Sequence, residues 1–229
     1  MIISHKYKFI FIKTAKTAGT SIEIFLSQHC GENDIVTPIY PQVSPHIARN
    51  YKGTWNPLME IIEYSGHNIR QVINELMTFN RFYNHMPARL VRYRVSRKIW
   101  KNYFKFCVER NPWDKTLSHF YHIVGDRVDG ITKLDEYMER RDFCINYPLY
   151  TDSDGKIMLD RVIKYEFLRD ELYQIFRELG LPFNGKLGVR AKSHYRKDRT
   201  PYQDVFTKDQ RIVIEKAFAK EICVHGYKY

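Results

Sequence analysis

The stretch Lys8-Phe9-Ile10-Phe11-Ile12-Lys13-Thr14-Ala15-Lys16-Thr17-Ala18-Gly19-Thr20-Ser21-Ile22-Glu23 limits what this chain can fold into more than any other. An apolar strand runs into a loop of small and hydroxyl residues that carries one lysine, and the loop opens a helix. Such a helix start aims several backbone N–H groups at one spot, where the helix dipole also favours negative charge. The stretch therefore reads as an anion cradle. The helix is expected over residues 20–28, with Thr20 and Glu23 at capping-box spacing, Ile22, Phe25 and Leu26 inward, and Gly31 as the stop.

The order of residues in the loop matters more than its composition. A Walker A loop, G-x-x-x-x-G-K-[ST], places lysine directly after the last glycine and a hydroxyl on Mg²⁺. Here Lys16 comes first and Gly19-Thr20-Ser21 follow, so the loop is shorter and the ammonium approaches from the strand side. This arrangement resembles the 5′-phosphosulfate loop of sulfotransferases that use 3′-phosphoadenosine 5′-phosphosulfate (PAPS), roughly P-K-x-x-[GS]-[ST]-[ST], with Ala15 where proline is usual. The resemblance implies that Lys16, Thr17, Ala18, Gly19, Thr20 and Ser21 bind the cofactor's 5′ end. The same residues alone also fit a plain capped helix start, so a second motif has to decide.

That motif lies in Tyr103-Phe104-Lys105-Phe106-Cys107-Val108-Glu109-Arg110-Asn111-Pro112-Trp113-Asp114-Lys115-Thr116-Leu117-Ser118-His119-Phe120-Tyr121. Its first six residues read as a buried strand. Asn111 as N-cap and Pro112 at the first helical position start a helix whose Trp113, Leu117, Phe120 and Val124 face the core. Arg110 then stands at the strand's C-terminal edge and Ser118 on the helix's second turn, where guanidinium and hydroxyl can converge on one phosphate. The stretch resembles the 3′-phosphate motif of PAPS sulfotransferases, V-R-x-P-x-x-[KR]-x-x-S-x-[YF], with Glu109 in a position that is commonly apolar. The resemblance implies that Arg110 and Ser118 bind the 3′-phosphate; the structural alternative is an arginine that pairs with a nearby carboxylate.

Across the 229 residues, 37 Lys and Arg against 26 Asp and Glu give a net charge of +11, which calls for an anionic partner. The basic residues are scattered and show no zinc-finger or RNA-recognition spacing, so no nucleic-acid partner is expected. With 44% hydrophobic residues the chain can bury one core, and a single domain over residues 1–229 is expected. No run approaches the ~18 consecutive apolar residues of a membrane span. Four dispersed cysteines, Cys30, Cys107, Cys144 and Cys223, form no C-x-x-C pair, and the first strand follows directly on the N-terminus. A cytoplasmic, reduced protein without a metal site is the expectation.

Residues 35–67 carry Pro38, Pro41, Pro45, Gly53 and Pro57 and hold no periodicity; they read as an irregular segment beside an acceptor cleft. A helix is expected over residues 68–79 with Ile69, Val72, Ile73 and Leu76 on its inner face, a short strand over residues 81–85, and basic helical stretches from Pro87 and from Ser96. Further helices are expected over residues 132–143 and 168–179, a strand over residues 162–166, and a last helix capped by Thr207 with Gln210.

Sulfuryl transfer also needs a group to take the acceptor proton, and histidine suits it near neutral pH. Among nine histidines, His85 is favoured: Asn84-His85-Met86-Pro87-Ala88-Arg89 resembles the H-x-x-A segment where bacterial and carbohydrate sulfotransferases place their base. His46 is the rival, read as a loop histidine, and Glu166 is the fallback. His119 and His122 read as helix-surface or core residues. The basic run 190–202 contains Arg196 and Lys197, which the resemblance implies close over the nucleotide. Lys16 would neutralise charge on the bridging oxygen, and no metal is required by the electrostatics.

The expected architecture is α/β, a three-layer, mostly parallel sheet flanked by helices, resembling the P-loop NTPase-like fold of PAPS sulfotransferases. The expected activity is sulfuryl transfer from PAPS to a hydroxyl, or an amine, on a saccharide or glycolipid. Two other classes remain open at this point: a P-loop nucleotide kinase, and a noncatalytic polyanion-binding protein for which the charge is the whole explanation.

Overall fold

The computed structural model describes residues 1–63, 69–124, 130–188 and 200–229. In chain order these form β1 (Ile2–Ser4), β2 (Phe9–Phe11), α1 (Gly19–His29), β3 (Ile35–Val36), α2 (Leu58–Glu63), α3 (Ile69–Met77), α4 (Ala88–Arg94), α5 (Arg97–Asn102) and β4 (Phe104–Glu109). There follow α6 (Pro112–Val124), α7 (Gly130–Arg140), α8 (Tyr147–Tyr150), β5 (Arg161–Lys164), α9 (Leu168–Glu178), α10 (Tyr202–Val205), α11 (Lys208–Ala217) and α12 (Ala219–His225). Arg196 and Lys197, expected to close over a nucleotide, lie outside the described residues.

The five strands form one sheet in the order β3-β1-β2-β4-β5. β2 pairs parallel with β4 and β4 with β5, whereas β1 pairs antiparallel with both β2 and β3. Four strands thus share one direction and β1 alone is reversed. The sequence predicts the first strand at Phe9–Phe11 with a short lead-in before it; in the structure Ile2, Ile3 and Ser4 of that lead-in already form a strand, a hairpin arm on Phe11, Ile10 and Phe9.

Side chains alternate across the sheet, as the two-residue period of a strand demands. Ile2, Phe9, Phe11, Phe106 and Val108 point to one face, where α1 and α9 cover them with Ile22, Phe25, Leu172 and Phe176. Ile3, Ile10, Ile12 and Cys107 point to the other, under Phe82, Met86, Leu90, Val91 and Tyr150. A third apolar cluster joins α6, α7 and α11 through Trp113, Leu117, Phe120, Tyr137, Ile214 and Phe218. The α/β, three-layer expectation agrees with this arrangement.

Several local expectations need correction. Residues 81–85 are not a strand: Phe82 reaches the core from an irregular connection whose N–H bonds the Tyr51 carbonyl. The irregular segment 35–67 contains β3 and α2, and its peptide bonds before Pro41 and Pro45 are cis. α3 buries Val72 and Glu75, leaving Ile69 at 56% and Ile73 at 50% exposure. The inward stripe was misplaced because the Glu75 carboxylate is drawn to the buried Arg94 guanidinium, which also pairs with Glu60 of α2 at 2.6 Å. By contrast the Thr207–Gln210 capping box is present, with Thr207 N–H donating to Gln210 Oε1 at 3.0 Å and Gln210 N–H to Thr207 Oγ1 at 3.3 Å.

Candidate active site

Three parallel strands end on one edge of the sheet, the place where open α/β sheets bind ligands. β2 delivers the loop of residues 13–18 there and β4 delivers Arg110. The loop stays against β4 beyond the last strand residue: Ile12 N–H donates to the Phe106 carbonyl at 2.9 Å, and one step on the Thr14 hydroxyl donates to the Val108 carbonyl. The Thr14 and Thr17 hydroxyls lie 2.8 Å apart and tie the loop across itself.

The loop then makes two left-handed steps, Lys16 at φ 62° and Ala18 at φ 59°, and enters α1. Ala18 is the N-cap and makes no side-chain cap bond, so the expected capping box of Thr20 and Glu23 is absent. Glu23 is instead fully buried beneath the loop. It contacts the Met1 α-amino group and forms an ion pair with Lys13 Nζ at 2.7 Å. Burial alone would raise its carboxyl, but the α-amino group and Lys13 outweigh burial and hold it below the usual carboxylate value. Capping spacing misled here because the partner of Glu23 is a buried cation ten residues upstream rather than a helix N–H.

The first intrahelical bond of α1 is Ile22 N–H to the Ala18 carbonyl at 3.1 Å. The N–H groups of the first helical turn, Gly19, Thr20 and Ser21, precede it at the positive end of the helix dipole, the position in a helix where an anion is favoured. Gly19 is required by crowding, since a Cβ there would stand 2.9 Å from Lys13 Cγ and 3.0 Å from the Thr14 carbonyl oxygen.

Arg110 meets this loop directly. Its Nη1 donates to the Lys16 carbonyl at 3.2 Å, while Nε and Nη2 each lie 2.7 Å from Asp114 Oδ2, and its guanidinium stacks 4.3 Å from the Tyr165 ring centre. The carboxylate pairing named as the structural alternative is thus present, in Asp114, and Arg110 also faces the loop through the Lys16 carbonyl. Asn111 caps α6 as expected, its Oδ1 accepting from Trp113 N–H at 3.1 Å. Ser118, half-buried, projects from the second turn of that helix. Glu166, the fallback base, is engaged by Asn111 N–H at 2.6 Å.

His85 comes to the same edge, at φ 57°, with its Nδ1 3.1 Å from the Lys13 carbonyl. A carbonyl only accepts, so Nδ1 carries the proton and Nε2 keeps its lone pair. Burial, then the positive charges of Lys13 and the N-terminus, lower its pKa to about 4. His46 is not an exposed loop residue: it is 2% exposed, its Nε2 has no hydrogen-bond partner among the described residues, and burial lowers its pKa. His119 holds the Tyr137 hydroxyl at 3.0 Å from Nδ1 and lies within electrostatic reach of Lys16, whose charge adds to burial in lowering its pKa.

The sequence reading missed Asn146, which is buried immediately before α8 and pairs with both backbone groups of Ala15. It also treated Glu109 as a departure from a pattern, whereas the side chain is a buried hub that accepts from Lys115 Nζ at 2.7 Å, Arg110 N–H at 2.9 Å and Tyr150 OH at 3.2 Å.

The family model described as "Sulfotransferase family" matches residues 1–152, a span that holds the loop, His85, Arg110, Ser118 and Asn146. The chain belongs to the sulfotransferase family. It is 30% identical over 118 residues to an uncharacterized protein of Archaeoglobus fulgidus, an alignment that covers 49% of this chain and 98% of that protein. Among solved structures it is similar to a sulfotransferase from Alicyclobacillus acidocaldarius, with a TM-score of 0.40 and 16% identity over 97% of this chain and 96% of the other. Among the described residues of this family member, no helix is long and apolar enough to cross a membrane.

Proposed function

We propose that this sulfotransferase takes its sulfuryl group from PAPS and passes it to a hydroxyl of a saccharide or glycolipid, as one domain. The observation that carries the reading is the meeting of the two phosphate motifs, Arg110 Nη1 on the Lys16 carbonyl at 3.2 Å, at the C-terminal edge of β2 and β4. Family membership supports transfer chemistry, and the net charge of +11 suits an anionic donor and acceptor.

The residues fit such a donor. Lys16, Thr17 and Ala18 with the N–H groups of Gly19, Thr20 and Ser21 form the cradle for the 5′ end, at the start of α1 where the helix dipole favours an anion. Arg110 and Ser118 hold the 3′-phosphate, with Arg110 exchanging part of its bond to Asp114 for the ligand. PAPS, when bound, supplies a sulfuryl group whose S–O bond to the 5′-phosphate breaks as a new S–O bond to the acceptor oxygen forms. Lys16 neutralises charge gathering on the oxygen left behind, and His85 Nε2 takes the acceptor proton. Preorganised charge and positioning carry the rate, as in phosphoryl transfer.

The test is incubation with PAPS and a panel of saccharides and glycolipids in EDTA, with sulfated product read by mass spectrometry. The expected result is product from at least one acceptor, in step with release of 3′-phosphoadenosine 5′-phosphate, and its loss in Lys16→Ala. PAPS left unconsumed across the panel, with phosphorylation from Mg-ATP instead, overturns the reading in favour of a kinase.

A further inference from the structure

The loop keeps two non-glycine residues in the left-handed region, Lys16 and Ala18. Each such step costs about 1–2 kcal/mol and persists only where surrounding contacts enforce it. The contact placed immediately before the first step is Asn146. Its Oδ1 accepts from Ala15 N–H at 3.0 Å and its Nδ2 donates to the Ala15 carbonyl at 3.0 Å, a paired bond that fixes the peptide units on both sides of residue 15.

The amide is itself fixed. Nδ2 also donates to Glu109 Oε1 at 3.3 Å, and that carboxylate, ion-paired with the buried Lys115 at 2.7 Å, can only accept. The orientation of Asn146 therefore admits no flip. Glu109 Oε2 is taken by Tyr150 OH at 3.2 Å, and burial together with Glu109 raises the Tyr150 pKa, keeping that hydroxyl a donor. A continuous buried path runs from α6 through Lys115, Glu109 and Asn146 to the residue before Lys16. The same carboxylate receives Arg110 N–H, so both phosphate motifs hang from one group.

We propose that Asn146 is a positioning residue for Lys16: by gripping both backbone groups of Ala15, it sets the conformation from which Lys16 addresses the donor. The proposal rests on the PAPS reading of the site. It also requires a backbone N–H at position 15, which alanine has and proline lacks. In this chain the side-chain grip on Ala15 does the work that a proline's fixed φ would do by itself.

Two measurements test it. In calorimetric titrations with 3′-phosphoadenosine 5′-phosphate, Asn146→Ala is expected to bind about ten-fold more weakly than the wild type, the size of one lost buried hydrogen-bond pairing. In a Lys16→Ala background the same change is expected to cost less than about two-fold, because a residue acting through Lys16 has nothing left to position. Equal losses in both backgrounds, or none in either, overturn the proposal. Hydrogen exchange on the unliganded wild-type protein reads the grip without any variant or ligand. The Ala15 amide is expected to be strongly protected, and exchange at the rate of an unstructured peptide overturns the proposal even if Asn146→Ala fails to fold. A wild type that binds no bisphosphate but protects Ala15 defeats the PAPS reading and with it the role for Lys16; a wild type that binds it without that protection defeats the grip alone.

Discussion

A histidine whose Nδ1–H is committed to a backbone carbonyl has only Nε2 left for proton transfer, and His85 is held in this state by Lys13. With its pKa lowered to about 4 by burial and by nearby cations, the ring is neutral at neutral pH. Its folded pKa lies below the unfolded value of 6.5, so its contribution to stability is full above about 6.5 and is lost as pH falls toward about 4. Urea midpoints across that window are expected to fall in the wild type and to fall less steeply in His85→Gln. The same shift places no acid limb near 6.5 in the kcat profile. His85→Ala is expected to lower kcat by about 10²–10⁴ with bisphosphate affinity unchanged, measured by initial rates and calorimetry. Arg110→Ala should weaken 3′-phosphoadenosine 5′-phosphate by about 1.5–3 kcal/mol and adenosine 5′-phosphate far less, read by parallel titrations. Lys16, Arg110 and His85 can be singled out in the sequence because a motif fixes each one's distance from its neighbours, and what the structure adds is that the Lys16 loop touches both of the others. Asn146 cannot, because its partner Ala15 is 131 residues away and nothing local marks it.

The strand, loop and first helix form one unit whose interior is charged. Lys13 and Glu23 lie beneath the loop, both fully or nearly buried, and removing Glu23 takes the carboxylate away from two buried cations at once, Lys13 and the Met1 α-amino group. Glu23→Ala is expected to destabilise the fold by about 3–5 kcal/mol in urea unfolding, far more than loss of a helix cap. Gly19→Ala should cost about 1–3 kcal/mol, because the new methyl meets the Thr14 carbonyl oxygen and a buried Lys13 stem. A second such device anchors α2 and α3 on α4, where Arg94 joins Glu60 and Glu75 and lies 4.0 Å from the Trp55 ring centre. These buried ion pairs explain which element readings went astray. Apolar periodicity located α3 but misjudged its inner face, and capping spacing located α1 but misassigned Glu23, since both were settled by carboxylates reaching distant cations. Where the decisive contact was local, as in the Thr207–Gln210 box and the Asn111 cap of α6, the sequence sufficed.

At the scale of the molecule, the uninterrupted apolar run of β2 and the largely apolar β4 bury both faces of the sheet, which calls for helices on both sides, and this much of the architecture could be read in advance. The reversed hairpin arm β1 could not, because three residues carry too little pattern to distinguish a strand from a lead-in. The net charge of +11 admits both a donor site and simple polyanion binding, and salt dependence alone does not separate them. The central claim is a nucleotide site built jointly by the Lys16 loop and Arg110, and calorimetric titration of 3′-phosphoadenosine 5′-phosphate in EDTA, repeated with Mg-ATP, tests it most directly. Metal-independent binding that prefers the bisphosphate and weakens in both Lys16→Ala and Arg110→Ala is the expected result. No binding, or a preference for Mg-ATP, would contradict it.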